Sequence, residues 1–140
     1  MYLKRSVFAG LLALAAAGSG LALSTTASAA SAAPAAVSCS PGYACLYYHP
    51  DYTGAVYKQY YDDPNYGDDY FVTSTAPRGS EGAGQVVAGH TGSVDNWNCD
   101  SSITIYYSPG YAGIHQTIVA CGKANLNSSL RNNIASGKFG

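Results

Sequence analysis

The apolar positions of this chain change their pattern after the first residues. Residues 7–23 form one almost unbroken apolar run, whereas from residue 44 onward short aromatic and β-branched stretches alternate with glycine, proline and aspartate. Short stretches of this kind, bounded by turn residues, are typical of β-strands. After the first run, no window repeats its apolar residues with the 3.6-residue period of an amphipathic helix. The pattern therefore predicts an all-β protein.

The pattern predicts two β-hairpins and two further strands. The hairpin strands are predicted at residues 44–49, 55–61, 102–107 and 114–121. Alternation of apolar and polar residues predicts the further strands at 70–74 and 130–134.

Two regions between these strands are predicted to be irregular, 62–69 and 76–96. The second is rich in glycine and small polar residues, and a loop of that length in a small domain is often functional. The first carries four aspartates, and we interpret it as a solvated acidic turn, with a cation site or a glycosidase-like acid pair as the alternatives. The aspartates are Asp62, Asp63, Asp68 and Asp69.

The two hairpins contain an internal repeat. Residues 46–54, LYYHPDYTG, match residues 105–113, IYYSPGYAG, at an offset of 59 with no gap. An internal repeat of this kind predicts a duplicated structural unit. Each copy ends on a glycine, Gly54 or Gly113, which adopts positive φ without strain.

The apolar run at the start predicts a secretion signal over residues 1–29. Lys4 and Arg5 precede the run, and Ala27-Ser28-Ala29 offers a small-residue cleavage site. A membrane anchor is the alternative, but the run is short for a span and is interrupted by Gly18-Ser19-Gly20. We expect residues 30–37 to be a disordered leader and 38–140 to be a secreted, extracellular domain with no membrane attachment.

All four cysteines follow the predicted signal. An even number in an oxidising compartment predicts two disulfides, for which three pairings exist. Proximity in sequence favours Cys39–Cys45 and Cys99–Cys121. The spacings of the cysteines and the scattered histidines do not match a zinc site.

Charge and motifs exclude several function classes. After the signal the chain keeps five of its seven basic residues and all eight acidic ones, a net charge of −3. Without a basic patch, nucleic acid is not an expected partner. No Gly-x-Ser-x-Gly, His-Glu-x-x-His or phosphate-loop motif is present, so we do not expect an enzyme.

The repeat resembles the Greek-key motif of the βγ-crystallins. In that family the aromatic of Tyr-x6-Gly packs over a folded hairpin, the glycine permits the tight backbone, and a later serine secures the same corner. Here the resemblance assigns the aromatic and glycine to Tyr47 and Gly54, and to Tyr106 and Gly113. Residues 97–102 and 124–129 look like the later serine-containing stretches, so the resemblance implies that Ser101 and Ser128 hold the corners.

Two further segments narrow the resemblance to one family of this fold. They are the start of the domain, Cys-Ser-Pro-Gly-Tyr-Ala-Cys from residue 39, and its ending around 128–133. With the signal, they look like the bacterial secreted peptidase-inhibitor family with a βγ-crystallin-like fold, over residues 39–140. The resemblance implies a double Greek-key sandwich with two disulfides and a long insertion between the third and fourth strands of the first key. It also implies a monomeric secreted inhibitor of extracellular peptidases, with metallopeptidases as the first target class.

A disulfide-braced loop suits inhibition, because a rigid loop loses little entropy on binding. The candidate inhibitory loop is Trp97, Asn98, Cys99, Asp100 and Ser101, called the 97–101 loop below. We expect Trp97 to pack in the core. Thermolysin-like enzymes favour a large apolar residue directly after the scissile bond, but here Asp100 follows Cys99.

Calcium binding by an extracellular structural, stress or antimicrobial protein is the alternative function. Calcium-binding βγ-crystallins carry two adjacent Asn/Asp residues, two variable residues and then Ser/Thr-Ser, and both copies here lack the first Asn/Asp. The remaining candidate ligands are Asn98, Ser101, Asn125 and Ser128, and we expect weak affinity if calcium binds and no other cofactor. An antimicrobial protein of this type could bind cell-wall glycans through exposed tyrosines, for which we nominate Tyr52, Tyr60, Tyr66 and Tyr111.

Overall fold

The computed structural model describes residues 28–75 and 77–140. The predicted signal lies almost entirely outside this part of the chain. Residues 28–36 carry no regular secondary structure, and backbone pairing begins at Val37, whose amide donates to the Thr73 carbonyl at 2.9 Å. Backbone pairing thus begins at the last residue of the predicted leader, and the disorder of that leader stays a prediction. Within the described residues no helix is long and apolar enough to cross a bilayer.

The strands of the described chain form two antiparallel sheets. They are β1 Ala44–Tyr47, β2 Val56–Gln59, β3 Ser93–Asn96, β4 Ile103–Ser108, β5 Ala112–Ile118, β6 Lys123–Asn125 and β7 Ser136–Phe139. The first sheet has the order β2-β1-β3-β6, and the second has the order β5-β4-β7. Two short 3₁₀ turns, Pro50–Tyr52 and Tyr66–Asp68, are the helical elements of this region.

Each half of the chain has one segment that pairs with the sheet of the other half. β6, from the second half, pairs with β3 of the first sheet. In return, Asp63 pairs with Gly137 of β7, with N···O distances of 2.8 and 2.9 Å. Asp63 is therefore the reduced third strand of the first key, and the two keys interlock as a double Greek-key sandwich. The long insertion, residues 64–92, falls between the third and fourth strands of that key, as predicted.

Two strand predictions are wrong. Residues 70–74 make only isolated bridges, because Tyr70, Val72 and Ser74 each pair with a different segment. Residues 130–134 end a turn, in which the amides of Leu130 and Arg131 both donate to the Asn127 carbonyl. The apolar side chains of this segment are buried although its backbone forms a turn. The alternation of apolar and polar residues therefore indicated burial and not an extended strand.

Both hairpins fold with the same unusual backbone. Asp51, Tyr52 and Gly54 have φ of 58°, 59° and 82°, and the residues 59 positions later, Gly110, Tyr111 and Gly113, have φ of 70°, 62° and 84°. Three left-handed positions in the same order confirm the duplication seen in the sequence. At Gly54 a β-carbon would also lie 3.0 Å from the Glu81 carbonyl oxygen, so a side chain there would be crowded as well as strained in φ.

The serines that hold the corners are not the predicted ones. Ser93 Oγ donates to the His49 carbonyl at 2.7 Å and accepts the Tyr52 amide at 3.0 Å. Ser136 makes the same pair of bonds, to the Ser108 carbonyl at 2.7 Å and from the Tyr111 amide at 3.0 Å. The roles assigned to Ser101 and Ser128 are therefore wrong, because the corner serine begins the fourth strand of each key.

The main core lies between the two sheets and includes the insertion. It contains the inward side chains of the strands, such as Leu46, Val94 and Ile105, all fully buried. Three insertion residues join them, namely Tyr66, Phe71 and Val87. The insertion is thus part of the folded body. Both predicted disulfides, Cys39–Cys45 and Cys99–Cys121, are present.

Candidate functional site

The 97–101 loop links β3 to β4 and so joins the two keys. β3 ends at Asn96, whose side chain is buried, and the chain then turns outward. Trp97 is 41% exposed, and Cys99 and Asp100 are exposed as well. The expectation that Trp97 packs in the core is wrong, because the preceding residue, Asn96, points inward and the next residue of an extended chain points outward.

Backbone hydrogen bonds hold the start of the loop. The Trp97 amide donates to the Tyr43 carbonyl at 2.9 Å, and the Trp97 carbonyl accepts the Gly42 amide at 3.0 Å. The Asn98 carbonyl accepts the Cys121 amide at 3.0 Å, next to the Cys99–Cys121 disulfide. The loop is therefore tied both to the N-terminal segment and to the turn between β5 and β6.

Two asparagine side chains hold the rest of the loop. Asn98 Oδ1 accepts the amides of Asp100 and Ser101 at 2.9 and 3.1 Å. Buried Asn96 donates from Nδ2 to the Ser101 and Val119 carbonyls at 2.9 and 3.1 Å. Side-chain caps of this kind replace the backbone partners that a tight turn leaves unpaired. The backbone that carries the exposed residues Cys99 and Asp100 is thus restrained by hydrogen bonds.

A small cavity of about 230 Å³ lies beside the loop. Its apolar wall is formed by Trp97, Pro41 and the Cys99–Cys121 disulfide, and its remaining lining residues are Asp95 and Asn96. The cavity could take one side chain of a bound protein. Because the cavity adjoins Cys99, a side chain bound in it would lie next to the loop.

Two of the four candidate calcium ligands, Asn98 and Asn125, are occupied by hydrogen bonds within the protein. Asn125 Oδ1 accepts the Asp51 amide at 2.7 Å, and Asn125 Nδ2 donates to the Asp51 carboxylate at 2.9 Å. Asn98 Oδ1 caps the 97–101 loop as described above. When the calcium pattern is aligned on the corner serines, its Ser/Thr position is Gly92 in one key and Ala135 in the other. Neither residue offers a side-chain oxygen, so both keys depart from the pattern at a ligand position.

The acidic turn divides into two parts. Asp62 and Asp68 are exposed, whereas Asp63 and Asp69 are half-buried. Tyr57 donates to the Asp63 carboxylate at 2.7 Å. Burial, together with hydrogen bonding to and repulsion from Asp63, raises the pKa of Asp69 to about 6. Among the described residues, no group of three or more His, Cys, Asp or Glu is placed to hold a metal ion.

The structure separates the nominated tyrosines. Tyr66 is fully buried, so its nomination as a surface residue is wrong; its hydroxyl donates to buried Gln59, a partner that sequence patterns do not reveal. Tyr52 and Tyr111 are half-buried at the two corners, and Tyr60 is 51% exposed. The neighbouring Tyr61, which the sequence analysis did not single out, is 77% exposed.

Comparison with solved structures places the fold among the βγ-crystallins. A structure from a study of the evolution of the eye lens βγ-crystallin domain fold is 12% identical, with a TM-score of 0.55, over 76% of this chain and 92% of that chain. A βγ-crystallin from an archaeon is 16% identical, with a TM-score of 0.49, over 71% of this chain and 98% of that chain. No curated protein matches the chain.

A family model gives the narrower assignment. The model of peptidase inhibitor family I36 matches residues 32–118. The chain belongs to this peptidase inhibitor family, which agrees with the resemblance drawn from its cysteine and tyrosine motifs.

Proposed function

We propose that the protein inhibits an extracellular peptidase by presenting the 97–101 loop to the enzyme's cleft. The observation that carries this proposal is the combination of exposure and restraint in one short segment. Cys99 and Asp100 face solvent, while the residues on both sides are held by hydrogen bonds and by the Cys99–Cys121 disulfide. A peptidase that binds such a loop orders little further chain, so more of the contact energy remains as affinity.

The same restraint supports inhibition over cleavage. If the Cys99–Asp100 bond were cut, the disulfide and the Asn98 and Asn96 side chains would keep the two new ends in place. The ends would remain near each other, which favours resealing of the bond over release of product. The family assignment and the two disulfides also support action outside the cell, where disulfides persist.

Inhibition assays on a panel of peptidases test the proposal. The secreted protein, at up to micromolar concentration, is incubated with thermolysin, subtilisin, trypsin and papain, and residual activity is measured. We expect dose-dependent inhibition of at least one enzyme. Absence of inhibition across the three mechanistic classes would overturn the proposal.

Substitutions in the loop then test its role. Asp100→Arg reverses the exposed charge while leaving the backbone restraints in place, and we expect it to change the inhibition constant at least tenfold. Tyr107→Ser, at a 49%-exposed position in the second hairpin, is the matched control and should change it less than twofold.

The metallopeptidase target class has a separate test. Thermolysin favours a large apolar residue after the scissile bond, so Asp100→Leu should strengthen inhibition of thermolysin if the Cys99–Asp100 bond lies across its active site. No gain, in a variant that unfolds at the same temperature as the parent, would remove thermolysin-like enzymes from the proposal and leave the other classes.

A further inference from the structure

Three aromatic residues stand in a row across one end of the first sheet. In the register of this sheet Ala44 lies opposite both Gln59 and Asn96. One residue further along the strands, toward the end of the sheet, Tyr43 therefore lies between Tyr60 and Trp97. Residues opposite each other point to the same face. Ala44, Gln59 and Asn96 are buried, hence Tyr43, Tyr60 and Trp97 belong to the outer face. These three residues and the adjacent Tyr61 are together called the aromatic row below.

Tyr43 is half-buried and the other residues of the row are exposed, yet the three tyrosine rings are already packed together. Tyr60, Tyr61 and Trp97 are 51%, 77% and 41% exposed. The Tyr60 ring centroid lies 4.9 Å from that of Tyr43 and 4.8 Å from that of Tyr61. Lys58 Nζ sits 4.4 Å from the Tyr43 centroid and donates to Ser40 at 2.8 Å. Large rings held in this way offer contact area with little entropy left to lose.

The geometry favours a protein partner over a glycan. A sugar-binding platform needs exposed, roughly coplanar ring faces, but Tyr60 is tilted 52° to Tyr43 and stands at 86° to Tyr61. Tyr and Trp presented at mixed angles are instead the residues enriched at the centre of protein interfaces.

We propose that the aromatic row is a second contact surface for the peptidase, outside the cleft that receives the 97–101 loop. Trp97 belongs to both surfaces, and its amide is bonded to Tyr43 of the row. Tyr60 lies two strand spacings from Trp97, about 10 Å. An interface of ordinary size, about 800 Å² on each partner, therefore extends from Asp100 across the row. This inference rests on the proposed function and adds where, beyond the loop, the enzyme is held.

The test compares substitutions of Tyr60 and Tyr61 with a substitution of Tyr107, on the panel enzyme that the parent protein inhibits best. Tyr60→Ser/Tyr61→Ser removes the outer half of the row without touching the loop, and we expect its inhibition constant to rise at least tenfold. Tyr107→Ser, in the second hairpin, is the control and should change it less than twofold. Tyr61→Ser alone, at the most exposed position, should give a rise of at least threefold and covers the case in which the double variant does not fold.

The outcomes separate the two proposals. If the parent protein inhibits an enzyme and the Tyr60→Ser/Tyr61→Ser and Tyr61→Ser variants inhibit it equally well, the second surface is overturned and the loop proposal stands. If the parent protein sediments with insoluble peptidoglycan and the tyrosine variants do not, while their inhibition is unchanged, the second surface is also overturned and the row is assigned to glycans. If the parent protein inhibits none of the enzymes, both proposals fail.

Discussion

The first strand of the first hairpin, β1, is buried on both faces, whereas the equivalent strand of the second hairpin, β4, is buried on one. All four residues of β1 are buried, and its outward residues Cys45 and Tyr47 form a second core with Val56, packed against Val37 and Cys39. In β4 only Ile103 and Ile105 are buried, and β5 is exposed along most of its length. The two hairpins nevertheless share their motif, their backbone angles and their corner serine.

The difference comes from what lies outside the motif. In the first key the disulfide-linked N-terminal segment covers the outer face, and Arg78 from the insertion sits 4.8 Å from the Tyr47 ring centroid and donates to the Tyr52 carbonyl at 2.6 Å. A lysine lies over the second motif tyrosine in both keys, Lys123 at 4.9 Å from the Tyr52 centroid and Lys138 at 5.7 Å from that of Tyr111, so the difference lies at the first motif tyrosine. A repeated motif can therefore fix the same backbone twice while its side chains contribute very different stabilities.

The largest expected effect is at the motif aromatic. Tyr47 is 1% exposed, so Tyr47→Ala should lower the free energy of unfolding by about 4 kcal/mol, whereas the equivalent Tyr106→Ala, at a half-buried position, should cost about 1–2 kcal/mol. Urea unfolding of the two variants measures the difference. The Tyr47 hydroxyl is buried with no partner among the described residues, so Tyr47→Phe should stay within about 0.5 kcal/mol of the parent. Equal costs for the two alanine variants would contradict the comparison.

The duplicated unit was predictable from the sequence because its determinants are local. The turn chemistry of Pro50 and Pro109 and the positions that need positive φ, Gly54 and Gly113, lie within nine residues of each tyrosine. The disulfide pairing was also local, since each bridge closes a short stretch of chain.

The elements that the sequence did not predict depend on distant contacts. β3, β6 and β7 are short and polar, SVDN, KAN and SGKF, and they are strands because they complete sheets begun elsewhere. The serine pairs chosen from the family pattern are displaced in opposite directions, since Ser101 lies 8 positions after the corner serine Ser93 and Ser128 lies 8 positions before Ser136. The insertion makes the spacing from tyrosine to corner serine 46 positions in the first key and 30 in the second, so no single distance predicts both.

The disulfides should respond differently to a reductant. Cys45 is fully buried, whereas Cys99 and Cys121 are both exposed. We expect dithiothreitol at moderate concentration to reduce Cys99–Cys121 first, read out as two alkylated cysteines assigned by peptide mapping. Loss of this bridge, which closes the longer loop, should cost about 3 kcal/mol by chain entropy. Earlier labelling of Cys39 would contradict the exposure argument.

The corner serines should have matching effects in the two keys. Ser93 and Ser136 are both fully buried and each makes two hydrogen bonds, so replacing either by alanine should lower stability by about 2 kcal/mol. Ser101→Ala and Ser128→Ala should each stay within about 0.5 kcal/mol of the parent, since neither hydroxyl holds a corner. Thermal unfolding of the four variants orders them. A large loss at Ser101 or Ser128 would restore the family-based assignment.

The smallest expected effect is a pH dependence confined to the first key. Burial, then hydrogen bonding to and repulsion from Asp63, raises the pKa of Asp69 to about 6 in the folded protein, above its ordinary value of 3.8. The folded state therefore binds this proton more tightly than the unfolded state does, and stability should rise as the pH falls from 7 to 5. Since Asp69 is partly solvated, we expect a gain below about 1 kcal/mol. Asp69→Asn should abolish the rise, whereas Asp68→Asn, at an exposed neighbour, should retain most of it. An unchanged pH profile in Asp69→Asn would assign the rise to other groups and remove this distinction between the two keys.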